Sequence, residues 1–150
     1  MKAILVDTSI LLRLANVGDV QYADAVNALA ELHRRGEVLY ITPQVMIEFR
    51  NSATRPKSVN GLGLTIAVAE GFSADFESKF TMLADQPDIY PRWKALVSAL
   101  NIIGKQVHDA RLVAVCHVHA VTHILTFNVA HFNRMSSFGP GIVVLDPARV

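Results

Sequence analysis

Cysteine is nearly absent from this chain, which contains one in 150 residues. A single cysteine cannot form an internal disulfide, so the composition suits a reducing compartment, and we expect a cytoplasmic protein. The chain also lacks an apolar run long enough for a signal peptide or a membrane span, because Asp7 interrupts the first such run early. We therefore expect no association with a membrane.

Charge of one sign is not in excess either. The chain has 14 Lys and Arg against 13 Asp and Glu, a formal net charge of +1. This balance is not a nucleic-acid-binding signature by itself, and it excludes only the strongly negative surface that would repel a phosphate substrate. Repeats and low-complexity tracts are absent, and the length predicts a single domain over residues 1–150.

Short apolar runs alternate with amphipathic segments along the chain. The runs predict strands over residues 3–6, 38–41, 123–126 and 142–145. Strands separated by helices are typical of a parallel sheet with right-handed crossovers. The pattern predicts an α/β fold with three layers, α/β/α, around a central parallel sheet of four to five strands.

The helical segments have recognisable boundaries. A helix over about 20–35 is predicted to turn Val26, Leu29 and Leu32 toward the core, and Thr42-Pro43 is predicted to open the next helix. Residues 51–63 are rich in polar residues, Pro and Gly, which predicts a loop, and residues 65–84 are predicted to be mostly helical. Phe72, Phe76 and Phe80 fall on one stripe of that helix, as core residues do.

Three acidic residues lie near the carboxyl ends of the predicted strands. Asp7 follows the first strand directly, Glu48 lies in the helix after the second, and Asp109 lies in the first turn of a helix over about 106–120. Ligand sites of open parallel sheets form in the crevice at that edge. Each acid taken alone also fits a capping or solvated role.

Asp109 is the most informative of the three. It begins a stripe that continues through Leu112, Val113 and Cys116, and a carboxylate on an apolar stripe is costly unless it is paired or bound. Thr126 and Asn128, at the end of the third strand, add a hydroxyl and an amide to the same edge. Such an oxygen-rich cluster suits Mg²⁺ or Mn²⁺, which can activate water for phosphodiester hydrolysis.

These motifs, in this order, resemble the PIN-domain family. The resemblance lies in residues 6–9, 45–49, 108–114, 125–128 and 131–132, and residues 53–56 and 60–63 resemble members close to VapC-type toxins. It covers essentially the whole chain. Each motif is weak alone, and the set is fairly specific.

The resemblance implies a Mg²⁺- or Mn²⁺-dependent ribonuclease, the toxin of a type II toxin–antitoxin system, with RNA as substrate, a small antitoxin as partner and a homodimeric state. It implies that Asp7, Glu48 and Asp109 bind the metal and act in catalysis, and we expect Asn128 to act with them through its carbonyl oxygen or by holding a water. The expected supporting residues, which orient water or contact the substrate, are Thr8, Ser9, Thr126, Arg55 and His131.

One departure from the family pattern leaves an alternative open. Many members have a fourth acidic residue in the segment that corresponds to 126–132, where this chain has Asn128 and His131. The alternative is therefore a non-catalytic regulator of the same fold that binds RNA or a protein. A zinc site at Cys116, His117, His119 and His123 is not expected, because their spacing does not converge on a helix.

Overall fold

A computed structural model describes residues 1–150 as five strands and seven α-helices. The strands are β1 (Ala3–Val6), β2 (Val38–Ile41), β3 (Thr81–Met82), β4 (His123–Leu125) and β5 (Val143–Leu145). They form one sheet in the order β3-β2-β1-β4-β5, and every neighbouring pair is parallel. The predicted parallel α/β sheet is confirmed, with five strands.

The helices connect these strands and pack in two groups. They are α1 (Thr8–Leu14), α2 (Tyr22–Arg34), α3 (Pro43–Thr54), α4 (Ile66–Lys79), α5 (Ile89–Leu100), α6 (Gln106–Val118) and α7 (Val129–Asn133), with short 3-10 helices at Lys57–Val59 and Pro147–Arg149. Helices α1 to α4 pack on one another, and α5 to α7 form the second group. Helices on both faces of the sheet make the predicted three layers. None of the helices has the length and apolar content that crossing a membrane requires.

Strand β1 lies at the centre of the sheet, between β2 and β4, and most of its side chains are buried. Ile4, Leu5 and Val6 are fully buried. A strand covered by helices on both faces is apolar at consecutive positions rather than at alternate ones. Leu5 pairs with Tyr40 of β2 on one side and with Ile124 of β4 on the other.

An aromatic cluster holds α4 against α3. The ring of Phe49 meets that of Phe76 edge to face, with centroids 5.1 Å apart, and that of Phe72 at 6.5 Å. Phe76 and Phe80 are buried, so the predicted stripe is a core stripe. Edge-to-face pairs add to the stabilisation from burial.

Strand β3 was not predicted, and the helix expected over residues 65–84 is wrong in its last part. Helix α4 ends at Lys79, and Thr81 and Met82 then pair with Tyr40 and Ile41 of β2. A two-residue strand with exposed side chains at the edge of a sheet has no hydrophobic period to reveal it. Only the position of β2 beside it fixes its conformation.

Two further predictions, one about the loop after α3 and one about α2, are wrong. The loop expected over 51–63 begins late, because α3 continues to Thr54 and ends where Arg55, which precedes Pro56, becomes extended. Val26, expected in the core, is 37% exposed. Helix α2 instead buries Ala25, Ala28 and Leu32, because the small alanines bring its backbone close to its neighbours.

The loop after α3 tolerates no side chain at one glycine. A Cβ added to Gly61 would lie 1.9 Å from the carbonyl oxygen of Arg55, whereas one added to Gly71, inside α4, would meet nothing within 4 Å. We predict that Gly61→Ala lowers the free energy of unfolding by about 1–3 kcal/mol, because the added methyl group displaces the backbone at Arg55. The matched Gly71→Ala should raise it by about 0.5–1 kcal/mol through helix propensity. Urea denaturation measures both, and equal effects would contradict the loop packing.

Candidate active site

Asp7 occupies the turn between β1 and α1, and its side chain is buried. Its carboxylate oxygen Oδ2 accepts hydrogen bonds from the Ser9 hydroxyl at 2.8 Å and from the Thr126 hydroxyl at 2.8 Å. The backbone N–H of Ser9 also donates to it, at 3.4 Å, so Asp7 caps α1. Burial raises the pKa of Asp7 above its usual value, the three hydrogen bonds oppose that rise, and the nearby Glu48 carboxylate adds to it.

The sheet topology explains why these residues meet. From β1 the chain moves to β2 on one side, and it later returns to β4 on the other side. The ends of β1 and β4 thus form the crevice at which ligand sites of open sheets occur. The backbone N–H of Asp7 donates to the carbonyl of Leu125 at 3.0 Å, which fixes the two strand ends beside each other.

Hydroxyl groups extend this contact into a network. The Ser9 hydroxyl lies 3.4 Å from that of Thr126 and accepts from the backbone N–H of Phe127 at 3.1 Å. The backbone N–H of Asn128 donates to the Thr126 hydroxyl at 2.9 Å. These bonds lock the chain after β4 onto Asp7. The Asn128 side chain itself is exposed and caps no backbone group of α7.

Glu48 is held at both of its carboxylate oxygens. The Thr8 hydroxyl donates to Oε2 at 2.9 Å, and the side-chain amide of Gln44 donates to Oε1 at 2.8 Å. Thr8 begins α1 next to Asp7, so this contact brings α3 to the ends of β1 and β4. Glu48 therefore faces the same crevice as Asp7.

Gln44 was not predicted as a site residue, although it connects α3 with α6. Its amide nitrogen also donates to the carbonyl of His108 at 2.8 Å, and its oxygen accepts from Arg111 at 3.0 Å. Arg111 in turn donates to Asp85 at 3.1 Å. The spacing of Gln44 and Glu48, four residues apart on one helix, was the available sequence signal. The contacts with α6 could not be read from spacing.

Asp109 approaches the crevice from the opposite layer of helices. Its side chain is 20% exposed, and its Oδ2 lies 3.3 Å from His131 Nδ1. Burial raises the pKa of Asp109, and the charges of Asp7 and Glu48 add to the rise while His131 opposes it, so that the pKa is about 6. Because three carboxylates influence one another in this way, they occupy one electrostatic site.

The structure brings most of the expected residues together and separates one of them. Asp7, Thr8, Ser9, Glu48, Asp109, Thr126 and His131 are joined by direct contacts or by mutual charge effects. Asn128 reaches this network through its backbone N–H. Arg55 lies two turns beyond Glu48, at the end of α3, and lines a polar cavity whose wall includes none of the three acids.

The donor set fits a hard divalent cation, although the side chains are not arranged around one. No three acidic, histidine or cysteine side chains form a ligand cluster as they stand. Thr8 and Gln44 engage both oxygens of Glu48, and His131 contacts Asp109. Carboxylate oxygens are the ligands that Mg²⁺ and Mn²⁺ prefer, and a cation would relieve the repulsion that raises the pKa of Asp109.

Cys116 takes no part in this site. Its side chain is fully buried in the core, and burial raises the pKa of its thiol to about 12. A neutral thiol in apolar surroundings is a poor metal ligand. The expected core role of Cys116 is confirmed.

The chain belongs to the PIN-domain family, whose model matches residues 4–137. Its fold is similar to that of VapBC2 from Rickettsia felis, a complex bound to promoter DNA, with 16% identity, a TM-score of 0.69 and coverage of 95% of this chain and 97% of the other. It is also similar to VapC20 from Mycobacterium tuberculosis, described as a toxin that cleaves the sarcin-ricin loop, with 18% identity, a TM-score of 0.64 and coverage of 87% and 94%. No curated protein matches the chain at a significant level.

The raised pKa of Asp109 predicts how stability depends on pH. The carboxyl binds its proton more tightly in the folded chain, with a pKa of about 6 against the usual 3.8. The bound proton therefore stabilises the fold fully below about pH 4, and this stabilisation is lost as the pH rises through about 6. Without metal at pH 7.5, the free energy of unfolding of Asp109→Asn should therefore exceed that of wild type by up to about 3 kcal/mol. Near pH 4 the two should be equal.

Urea denaturation in EDTA at both pH values measures this difference. Asp88→Asn is the matched control, because Asp88 is exposed and its side chain caps no backbone group. Added Mg²⁺ should stabilise wild type and leave Asp109→Asn unchanged. Equal stabilities of wild type and Asp109→Asn at pH 7.5 would show that burial and the neighbouring carboxylates do not raise the pKa of Asp109.

The contacts of Gln44 predict a specific loss on substitution. Gln44→Leu is of similar size but removes one hydrogen bond each from Glu48, Arg111 and the His108 carbonyl, which should lower the free energy of unfolding by about 1–3 kcal/mol. Gln44→Asn, which is too short to reach all three groups, should have the same effect. The neighbouring Ile47→Leu, at a 70% exposed position, is the control and should be neutral. An unchanged midpoint for Gln44→Leu would contradict the network.

Proposed function

We propose that this PIN-domain chain is a divalent-metal-dependent ribonuclease and the toxin component of a type II toxin–antitoxin pair. The observation that carries the proposal is the convergence of Asp7, Glu48 and Asp109 at one crevice, from β1 and from helices of both layers. Three acidic side chains this close repel one another. Their cost to stability is accounted for if a divalent cation balances their charge and also attracts a substrate phosphate.

In this proposal Asp7, Glu48 and Asp109 hold Mg²⁺ or Mn²⁺. When bound, such an ion lowers the pKa of a coordinated water and offsets the charge of a scissile phosphate. Ser9 and Thr126 keep Asp7 in place by donating to one of its oxygens, which leaves the other oxygen, Oδ1, free. Thr8 and Gln44 fix the direction of Glu48 in the same way.

His131 and Asn128 take the place that a fourth acid has in many family members. His131 lies beside Asp109 at the exposed side of the crevice, and we propose that it contacts a phosphate oxygen of the substrate. Asn128, exposed at the start of α7, is proposed to hold a water or a substrate oxygen through its side-chain amide. Neither adds negative charge, so a single bound metal is favoured over two.

The proposed antitoxin partner has support from a groove on the surface. A cavity of about 610 Å³ between α2 and α4 is lined mainly by apolar side chains, among them Leu14, Val26, Leu29 and Phe80. An exposed apolar groove of this kind suits an amphipathic helix of a partner. Two of the structures of similar fold, from Rickettsia felis and from Klebsiella pneumoniae, are toxin–antitoxin complexes.

A homodimeric state and a cytoplasmic location belong to the same proposal. The lone, buried cysteine is compatible with the reducing cytoplasm. Light scattering of the purified chain measures its mass, and a monomer at all concentrations would contradict the dimer.

The second candidate is a non-catalytic regulator of the same fold that binds RNA or a protein. Asn128 and His131 favour it, since they reduce the acidic charge of the crevice. The presence of Asp7, Glu48 and Asp109 at one site favours the nuclease, because three neighbouring buried or half-buried carboxylates destabilise a protein and do not contribute to binding RNA.

Cleavage of end-labelled RNA with Mg²⁺, with Mn²⁺ or with EDTA tests the proposal. We expect cleavage with either metal and none with EDTA. Asp7→Asn and Asp109→Asn should each reduce the rate by more than about 100-fold, since even residues that only support metal ligands contribute 10- to 100-fold. The exposed Asp88→Asn should retain the wild-type rate.

The result that would overturn the proposal is cleavage that persists in EDTA or in Asp7→Asn. An absence of cleavage together with normal RNA binding would favour the regulator. Circular dichroism of each variant establishes that it is folded.

A further inference from the structure

A polar cavity opens beside the carboxylates, between the carboxyl ends of α1 and α3. The two helices begin at the same edge of the sheet and are joined there by the hydrogen bond from Thr8 to Glu48. One turn farther on, about 6 Å along each helix, come Leu12 and Ser52, and these residues line the near side of a cavity of about 380 Å³. The cavity therefore continues the crevice away from the proposed cleavage site.

The chemistry of the cavity wall differs from that of the crevice. Polar groups line most of it: Arg13, Asn16, Asp19, Ser52, Arg55 and Asn60. Two arginines against one aspartate make the wall net positive. Arg13 lies 3.8 Å from Asp19 and donates to Gln21, so most of its charge is already offset within the protein.

Arg55 has hydrogen-bonding capacity that the protein does not use. The only hydrogen bond of its guanidinium is from Nη2 to the carbonyl of Asn60, at 3.0 Å, and no carboxylate lies within ion-pair distance. Its Nε is buried without a hydrogen-bond partner, and its Nη1 makes no hydrogen bond within the protein and stays accessible to a ligand. Buried N–H groups without an acceptor are rare in folded proteins, and a guanidinium is shaped to donate to a phosphate.

The loop around Arg55 is held in place. Backbone N–H groups of Leu62 and Gly63 donate to the carbonyls of Ser52 and Arg55 at 3.0 and 2.9 Å. Gly61 packs directly on the Arg55 carbonyl, where no side chain fits. The guanidinium is thus positioned before any ligand arrives, which lowers the entropic cost of binding.

We propose that this cavity binds a phosphate of the RNA strand that flanks the scissile phosphodiester. This inference rests on the proposed function and adds to it a second contact with the RNA backbone. Arg55 supplies the charge, and Asn16 and Ser52 face the same space. The strand then runs from the carboxylates along the groove between α1 and α3.

Binding of a fluorescein-labelled single-stranded RNA in EDTA, followed by fluorescence anisotropy at several NaCl concentrations, tests the inference. Asn16 makes no side-chain hydrogen bond, so Asn16→Asp adds a negative charge to the wall and disrupts no contact. It should weaken RNA binding about three- to tenfold at low salt, as expected for one added charge near a phosphate. The control is Asn27→Asp, which places the same charge on the exposed side of α2 and should bind as wild type does.

A second variant separates a contact with phosphate from a general effect of charge. Arg55→Gln should reduce the slope of log affinity against log salt by about 0.7, the value for one lost contact with a single strand. Since Arg55 also fastens the loop, its unfolding midpoint is measured alongside, and Asn16→Asp provides the result that does not depend on that loop.

Equal RNA affinities of Asn16→Asp, Asn27→Asp and wild type would overturn the inference, and so would a wild-type protein that does not bind the RNA. Because binding is measured without metal, the result is independent of cleavage. Weakened binding of Asn16→Asp by a chain that does not cleave would overturn the nuclease and leave this contact established. Normal RNA binding by Asn16→Asp, in a chain that does cleave RNA, would overturn this contact and leave the nuclease established.

Discussion

The buried carboxylate of Asp7 is the constraint on which the rest of the structure depends. It sits where β1 ends, at the switch between the two halves of the sheet, and hydroxyls of Ser9 and Thr126 donate to it at 2.8 Å each. An acidic group removed from water this completely must be satisfied by hydrogen bonds. Those bonds join β1 to β4, and through them the segments that carry Phe127 and Asn128 are fixed.

The other two acids are then placed by helices from opposite layers. Thr8, next to Asp7, draws α3 and Glu48 to the crevice, and α6 presents Asp109 from the other side. Gln44 fastens these two helices by donating both to Glu48 and to the carbonyl of His108. The site is therefore a junction of the fold. Its carboxylates are unfavourable for stability, as the raised pKa of Asp109 shows, and their positions are nevertheless held by specific contacts.

Basic and acidic groups are separated along the groove between α1 and α3. The acidic end holds the proposed metal, and the cavity one to two turns farther on has the guanidinium of Arg55. An RNA strand, which is polyanionic, has favourable contacts at both ends of this groove only if a cation occupies the acidic end. This arrangement links the proposed chemistry to the proposed path of the RNA without requiring a strongly basic chain, which agrees with the net charge of +1.

The sequence by itself determined the order of the main elements, because consecutive apolar residues such as Ile4, Leu5 and Val6 can be buried on both sides only in a covered parallel strand. It also indicated that Asp7, Glu48 and Asp109 fall near strand ends. Only the tertiary structure decided that Val26 is exposed, that Thr81 and Met82 form an edge strand, and that Gln44 bridges to α6. Periodicity and spacing describe a segment alone, whereas these outcomes depend on which neighbour covers each residue, and that neighbour comes from a distant part of the chain.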